Sequence, residues 1–231
     1  MLESCDRMML VWRLREAIKP PIFHWSLTAF QRIQRDSLYR WLDFGWGNVG
    51  WSADPGYLHA VTEYAQRTEG PILECGSGLT SLLLGVVAPG RTISLEHTPK
   101  WKTIVESSAA KYSIPVDIRS TNLVSYGDFE WYSLPEDIKK IKFSLVICDG
   151  PPSETHGGRY GLMPAARELL NDDCVILMDD AEREDERRII EQWRVSFDLQ
   201  SEVRETGKEK HAILRFRRSP VVSASWKLRR L

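Results

Sequence analysis

Short apolar runs alternate with amphipathic segments through most of this chain. Four of the runs end near residues 75, 96, 148 and 178, and each has the length and composition of a strand buried on both faces. Between them, apolar residues recur every three or four positions, which predicts helices. Strands that alternate with helices predict an α/β fold with a doubly wound, mostly parallel sheet. With a weaker run over residues 116–121 and two further strands near the C-terminus, the sequence predicts seven strands.

The pattern changes at both ends of the chain. Residues 199–218 predict two strands joined at Thr206-Gly207, which would form an antiparallel hairpin at the sheet edge. Residues 219–231 predict a basic tail. The sequence therefore predicts a helical N-terminal extension or lid over 1–50, a main domain over 51–218, and a tail over 219–231.

The first 50 residues are rich in Trp and Arg and allow two interpretations. Phe23, Leu27, Phe30 and Ile33 recur at helical spacing, with arginines between and after them. This pattern is typical of a helix that packs on a main domain or covers its site. It also fits a basic amphipathic segment that rests on a membrane surface. Both interpretations remain open from the sequence.

Composition excludes several classes of protein. The chain has 231 residues with 42% hydrophobic content, enough for one sizeable core. Its formal net charge of -1 predicts no nucleic-acid partner. We find no apolar run long enough to span a membrane. The cysteines are scattered and mostly lie in apolar runs, which predicts buried reduced thiols in a cytoplasmic protein.

A glycine-rich turn carries the first chemical signal. The strand over 71–75 ends in Glu74-Cys75-Gly76-Ser77-Gly78, and a helix follows at once. Glycine adopts positive φ and lets a ligand approach the main chain, while the helix start offers N–H groups. Glu96 closes the next strand, 22 residues after Glu74. An acid at about this distance holds ribose hydroxyls in Rossmann-type folds.

The residues around this turn discriminate between nucleotide ligands. Ser81 stands where the dinucleotide fingerprint has Gly or Ala, and the P-loop pattern is absent. A carboxylate at Glu74 would repel a diphosphate and attract a sulfonium. The turn therefore predicts S-adenosylmethionine rather than NAD as the ligand.

At these positions the chain resembles the class I S-adenosylmethionine-dependent methyltransferases over about residues 45–218. The turn matches that family's E-x-G-x-G motif, Glu96 matches its ribose-binding acid, and Asn122 falls where it places a residue beside adenine. Asp149 ends an apolar strand that matches the family's fourth-strand motif. The resemblance implies cofactor contacts from Glu74, Gly76, Ser77, Gly78, Glu96, His97, Asn122 and Asp149.

Three acids at predicted strand ends suggest a metal site. Asp149, Asp179 and Asp180 would meet if their strands are neighbours, because carboxyl ends of parallel strands line one crevice. Converging acids need a cation, and Mg²⁺ accepts oxygen ligands. The pattern resembles the metal-dependent O-methyltransferases that act on sugars, which implies that this trio binds Mg²⁺ or another divalent cation. The alternative is that Asp179 or Asp180 caps the following helix.

The loop after Asp149 contains further candidates. His156 has a side chain suited to take a hydroxyl proton, which makes it a candidate catalytic base beside Asp149. Arg159 and Tyr160 are candidates to hold an anionic or sugar substrate. Upstream, the resemblance suggests Trp51, Ser52 and Asp54 for the methionine end of the cofactor, although Asp54-Pro55 also predicts a helix start.

These observations lead to a methyltransferase that acts on a small molecule or a sugar or glycan precursor, through direct transfer to oxygen. Two rivals are other enzymes of this fold, an aminopropyl transferase or an NAD-linked oxidoreductase. A third is an assembly protein on a membrane surface with a vestigial cofactor site. The sequence does not predict the acceptor or the oligomeric state.

Overall fold

The computed structural model describes residues 2–47, 53–205 and 209–217, with side chains described from residue 13 onward. Predictions for Trp51, Ser52, the Thr206-Gly207 turn and the tail over 219–231 lie outside these ranges. Nine strands lie within the described residues. They are β1 (Ile72–Cys75), β2 (Thr92–Glu96), β3 (Ile118–Ser120), β4 (Leu123–Ser125), β5 (Glu130–Tyr132), β6 (Phe143–Cys148), β7 (Leu170–Met178), β8 (Leu199–Glu205) and β9 (Lys210–Phe216).

Seven of these strands form one sheet in the order β3-β2-β1-β6-β7-β9-β8. The first five strands in this order, β3, β2, β1, β6 and β7, run parallel. Strand β9 instead pairs antiparallel with both β7 and β8. The predicted sheet and its edge hairpin are therefore confirmed. The order reverses between β1 and β6, and ligands bind outside the carboxyl ends of the strands at such a point.

The α-helices lie between the strands and at the N-terminus of the chain. They are α1 (Leu2–Ile33), α2 (Tyr39–Trp46), α3 (Pro55–Arg67), α4 (Leu79–Val87), α5 (Pro99–Lys111), α6 (Leu162–Ala166) and α7 (Glu184–Ser196). None of the described helices is long and apolar enough to cross a membrane.

Both faces of the sheet are covered, which explains the continuous apolar runs. Alternate residues of one strand enter different cores, so that Ile72 lies in one hydrophobic cluster and Leu73 in the other. The first cluster also contains Leu27, Phe30 and Leu42 of α1 and α2. The N-terminal extension therefore packs on the main domain, as one of the two interpretations predicts.

Two local features complete the comparison with the sequence. Cys75, Cys148 and Cys174 are buried and free, in agreement with their prediction as reduced thiols. The small β4–β5 hairpin was not predicted, because strands of three residues are too short to show an alternating pattern. This hairpin brings aromatic side chains to the carboxyl edge of the sheet.

Candidate functional site

A cavity of about 750 Å³ opens at the carboxyl ends of β1, β2, β6 and β7. This volume falls in the range of small-molecule sites. Eight of the candidate residues named from the sequence line it, namely Gly76, Ser77, Glu96, His97, Asp149, Arg159, Asp179 and Asp180. The structure thus brings the glycine turn, the ribose-binding candidate and the acidic trio to one site.

The first glycine of the turn is required by geometry. Gly76 has a φ of +88°, which side chains rarely allow. A Cβ at this position would lie 3.0 Å from the Gly150 nitrogen and 3.1 Å from its Cα. The turn after β1 therefore touches the backbone that follows β6, and only glycine permits this approach.

The three backbone N–H groups of the turn are already satisfied by the protein. The Gly76 N–H donates to the Leu95 carbonyl at 3.0 Å. The Ser77 N–H donates to Glu96 Oε2 at 3.0 Å, and the Gly78 N–H donates to Ser81 Oγ at 3.0 Å. A diphosphate cradle needs such groups free to donate. This turn therefore does not offer them to a diphosphate.

The sequence predicts that Glu74 attracts the sulfonium of a ligand at the turn, and its position in the structure contradicts this. Its side chain is fully buried on the sheet face under α4, away from the cavity. It accepts hydrogen bonds from Ser81 Oγ at 2.6 Å and from Ser94 Oγ. Burial raises the pKa of Glu74 to about 7. Ser81 Oγ donates to Glu74 and accepts from the Gly78 N–H. Glu74 therefore contacts the turn only indirectly, through Ser81.

The acid that faces the cavity at this end is Glu96. Its Oε2 accepts from the Ser77 N–H and from Ser77 Oγ, and its Oε1 accepts from the Thr98 N–H at 2.8 Å. A carboxylate oxygen has two lone pairs, so Oε1 retains the capacity to accept from a ligand hydroxyl. This geometry suits the predicted contact with ribose.

Aromatic side chains that sequence reasoning missed form the wall beside Glu96. Trp101 of α5 and Tyr132 of β5 line the cavity together with His97. The Trp101 ring N–H donates to the Ser77 carbonyl, and the Tyr132 ring lies 6.1 Å from the His97 ring. The Tyr132 hydroxyl is buried without a hydrogen-bond partner among the described residues. A planar, polar heterocycle fits such a wall.

At the other end of the cavity, a buried arginine lies among the acidic trio. Arg159 is 2% exposed. Its Nη2 donates to Asp180 Oδ2 at 2.6 Å, to Asp149 Oδ1 at 3.2 Å and to the Asp149 carbonyl at 2.8 Å. Its Nη1 donates to the Asp179 carbonyl at 2.6 Å. The guanidinium thus joins the ends of β6 and β7.

Burial determines the ionisation of these acids. Desolvation raises the pKa of Asp149, and the Arg159 guanidinium opposes this effect. Desolvation, followed by repulsion from Asp149 and Asp180, raises the pKa of Asp179 well above its usual range. Asp179 Oδ1 is buried and has no hydrogen-bond partner among the described residues. The environment therefore favours the uncharged form of Asp179, and its Oδ1 is left with an unused hydrogen-bonding position in the cavity wall.

The trio does not fit a divalent cation while Arg159 holds this position. One carboxylate oxygen from each acid lies within 4.8 Å of the others, which is close enough for shared ligation. However, the same guanidinium nitrogen contacts Asp149 and Asp180, and Arg183 pairs with the other oxygen of Asp180 at 2.8 Å. An ion held by all three acids would lie against a guanidinium of like charge.

The helix-cap alternative for these acids is wrong. The following helix, α7, begins at Glu184, and its N-cap residue is Arg183 without a side-chain cap. Asp180 instead has a φ of +60° in the turn before the helix, and its carbonyl accepts from the Arg183 N–H. Asp179 and Asp180 therefore serve the cavity rather than the helix end.

Three other predicted residues lie outside the cavity wall. His156 is exposed, and its backbone N–H donates to Glu130. Asn122 is exposed, and its carbonyl accepts from the Ser133 N–H at the base of the β4–β5 hairpin. Asp54 is the N-cap of α3, where its side chain accepts from the Gly56 N–H. We assign none of these three side chains a role at the site.

Arg159 and Tyr160, the candidates to hold an anionic or sugar substrate, lie in different positions relative to the cavity. Arg159 lines the cavity, but its Nη1 and Nη2 donate to oxygens of Asp149, Asp179 and Asp180, and only its Nε has no partner among the described residues. Tyr160 packs against the Phe129 ring and does not line the cavity. The same end of the cavity gains two acids that the sequence did not single out, Glu154 and Glu209. We call this the acidic end, defined by Asp149, Glu154, Asp179, Asp180 and Glu209.

Solved structures of similar fold come from several organisms. A methyltransferase of Podospora anserina bound to S-adenosylhomocysteine is 13% identical, with a TM-score of 0.56, over 94% of this chain and 96% of that one. The O-methyltransferase TomG of Streptomyces achromogenes, involved in tomaymycin synthesis and solved with SAM, is 13% identical, with a TM-score of 0.54 over 84% and 89%.

A third similar structure acts on a different kind of acceptor. It is the ribosomal protein L11 methylase of Lactobacillus delbrueckii subsp. bulgaricus, which is 17% identical, with a TM-score of 0.52 over 70% of this chain and 78% of that one. No protein-family model and no curated protein matches this sequence. These likenesses establish the fold and leave the acceptor to be argued from the site.

Proposed function

We propose that this chain, which has the fold of the class I S-adenosylmethionine-dependent methyltransferases, transfers a methyl group from that cofactor to a hydroxyl of an uncharged small molecule such as a sugar unit. The observation that carries the proposal is the glycine turn, whose three N–H groups are satisfied by the protein. A turn of this kind receives an adenosine and its sulfonium without needing to bind a diphosphate.

The residues at the two ends of the cavity support this assignment. Glu96 has an acceptor position left for a ribose hydroxyl, while Trp101, Tyr132 and His97 form the wall beside it. The acidic end favours the positive charge of a sulfonium, because carboxylates outnumber the guanidinium groups of Arg159 and Arg183 there. The bound cofactor would supply an electrophilic methyl group on a positively charged sulfur.

Asp149 is the residue that we assign to the acceptor's proton. Its pKa is raised by burial, which brings it nearer to neutrality and makes it a better base. The Asp149 carboxylate would accept the proton that the acceptor hydroxyl loses on methylation, and the bound cofactor would supply the methyl group and leave as uncharged S-adenosylhomocysteine. Arg159 Nη2 donates to Asp149 Oδ1 and fixes the position of this side chain. The rest of the rate enhancement comes from alignment of the two reactants.

The acidic end also defines the class of acceptor. Both arginines that line it are paired with acids, so that among the described residues no cation is left there for a carboxylate or phosphate substrate. Asp179 Oδ1 has no hydrogen-bond partner among the described residues, and Ser153 and Glu154 add further polar groups to the cavity wall. A neutral molecule with several hydroxyls supplies hydrogen-bonding partners for these groups.

Calorimetry with two ligands tests the cofactor assignment. We expect S-adenosylhomocysteine to bind the full chain with micromolar affinity, and NADH to bind at least about a hundredfold more weakly, since a diphosphate finds no free amides at the turn. ADP is the matched control, because it carries the adenosine and the diphosphate without the nicotinamide. Tight binding of ADP or NADH would contradict the proposal.

A chelator experiment tests the role of Arg159 as the resident cation. We expect EDTA treatment to change the rate of methyl transfer by less than about twofold, because Arg159 already pairs with Asp149 and Asp180 where a shared cation would lie. Mn²⁺ titrated into the chelated protein should bind the wild type no more tightly than it binds the Asp179→Asn variant. Stoichiometric Mn²⁺ binding that depends on Asp179, with restoration of activity, would instead establish the metal site that the sequence predicts.

A further inference from the structure

The long helix α1 has apolar residues on two different sides. One side packs on the main domain through Phe23, Leu27 and Phe30, which are at most 7% exposed. The other side points outward. Its residues Leu14, Ile18, Trp25 and Ile33 are 56, 47, 55 and 55% exposed. Separations of four, seven and eight residues keep these four side chains on one side of a helix.

Helix α2 extends this outward surface. Trp41 is 48% exposed, and its ring lies edge-on to Trp25 with centroids 6.4 Å apart. We call the set of Leu14, Ile18, Trp25, Ile33 and Trp41 the outer stripe. Elsewhere in the described residues, the exposed large apolar side chains are Val124 and Tyr126, in or next to β4, and Ile104, Val195 and Val203 on three other elements. Within the described part of the chain, the outer stripe therefore brings together the largest number of them on adjoining elements.

The charges around the outer stripe are mainly positive. Residues 13–47 contain six basic and three acidic side chains, although the whole chain has a net charge of -1. Arg15, Arg32 and Arg40 are exposed beside stripe residues, and the Arg15 guanidinium lies 5.6 Å from the Phe44 ring centre. Glu16 instead accepts from the buried Lys19 on the inner side, at 2.6 Å.

We infer that the outer stripe docks this protein on an anionic membrane surface. Exposed tryptophans beside arginines are suited to the lipid headgroup region, where the rings are buried and the guanidinium groups meet phosphates. The arginines favour an anionic surface as the partner, because their positive charge would not contribute to binding a neutral apolar partner. The stripe lies apart from the cavity, so this inference does not rest on the proposed function.

The docked segment is nevertheless connected to the cavity. Trp46, at the end of α2, lies with its ring 6.0 Å from that of Trp101, which lines the cavity. The N-terminal segment is thus in contact with one residue of the cavity wall, on the side opposite to the outer stripe.

Vesicle co-sedimentation of the full chain tests the inference. We expect the protein to bind vesicles of phosphatidylglycerol mixed with phosphatidylcholine at least about tenfold more tightly than phosphatidylcholine alone, and to be released by salt. The double variant Trp25→Ser, Trp41→Ser should bind the anionic vesicles at least about tenfold more weakly. The double variant Val195→Ser, Val203→Ser removes exposed apolar side chains elsewhere and should bind like the wild type.

Several results would overturn the inference. These are failure of the wild type to bind either kind of vesicle, and equal binding by the wild type and the tryptophan variant. A dimer in light scattering that the tryptophan variant abolishes would instead assign the outer stripe to self-association. If that variant does not fold, Leu14→Ser with Ile18→Ser gives the same comparison. The basic segment 219–231 is present in every protein, so differences between variants report on the stripe.

Discussion

Replacing Asp149 by asparagine is expected to lower the rate of methyl transfer by roughly a thousandfold, while S-adenosylhomocysteine still binds within a few fold of the wild-type affinity. Asparagine keeps a side-chain oxygen for Arg159 Nη2, which lies 3.2 Å from the aspartate oxygen. It cannot accept the hydroxyl proton, and loss of a positioned base typically reduces a rate by about 10²–10⁴. The expected change is therefore in turnover and not in cofactor binding.

Release of S-adenosylhomocysteine, with an acceptor found by screening hydroxyl-bearing compounds, measures this effect. Asp172→Asn is the matched control, because Asp172 is exposed and pairs with Arg167 away from the cavity. A second comparison is His156→Gln, which should retain its rate because His156 does not line the cavity. Full turnover in Asp149→Asn, or loss of turnover only in His156→Gln, would remove Asp149 from the proposed reaction.

Replacing Gly76 by valine is expected to weaken S-adenosylhomocysteine binding by at least about a hundredfold. A Cβ would lie 3.0 Å from the Gly150 nitrogen and 3.1 Å from its Cα, and both are backbone atoms that cannot rotate away. The φ of +88° adds strain for any side chain. To relieve both conflicts the turn must move away from β6, which displaces the Ser77 N–H and its contact with Glu96.

Calorimetry measures the binding, and urea unfolding measures how much of the effect is general destabilisation. Gly127→Val is the matched control. Gly127 has a φ of +95°, but a Cβ added there would have no described atom within 4 Å, and the residue does not line the cavity. This variant should be destabilised by strain alone and bind normally once folded. Equal losses of affinity in the two variants would show that the close contact between Gly76 and Gly150 is unimportant.

The sequence predicted the fold because its signals are local. Runs such as those over β1 and β6 are apolar throughout, since each strand is buried on both faces, and the edge hairpin follows from the two final strands. The glycine turn was also predictable, because a strand, two glycines and a helix start all lie within one short segment. The same locality placed Asp149 and Asp179 at strand ends that face one crevice.

Residues that act through space were harder to predict. Trp101 and Tyr132 carry no motif, and Tyr132 reaches the cavity only because of an unpredicted hairpin. Glu74 and Glu96 both lie at or near a strand end, and the sequence predicted that both would contact the cofactor. The side chain of Glu74 falls on the sheet face that α4 covers, whereas Glu96 ends β2 and turns to the cavity.

The sequence by itself determined the α/β architecture, the glycine turn and the positions of the acids, because periodicity and turn chemistry depend on neighbours along the chain. The tertiary structure alone decided that Arg159 lies between Asp149 and Asp180 and that one apolar side of α1 stays exposed. Both outcomes depend on which elements pack together. An acid's charge is compensated by whatever the fold brings within a few ångströms of it, and no spacing along the chain reports that distance.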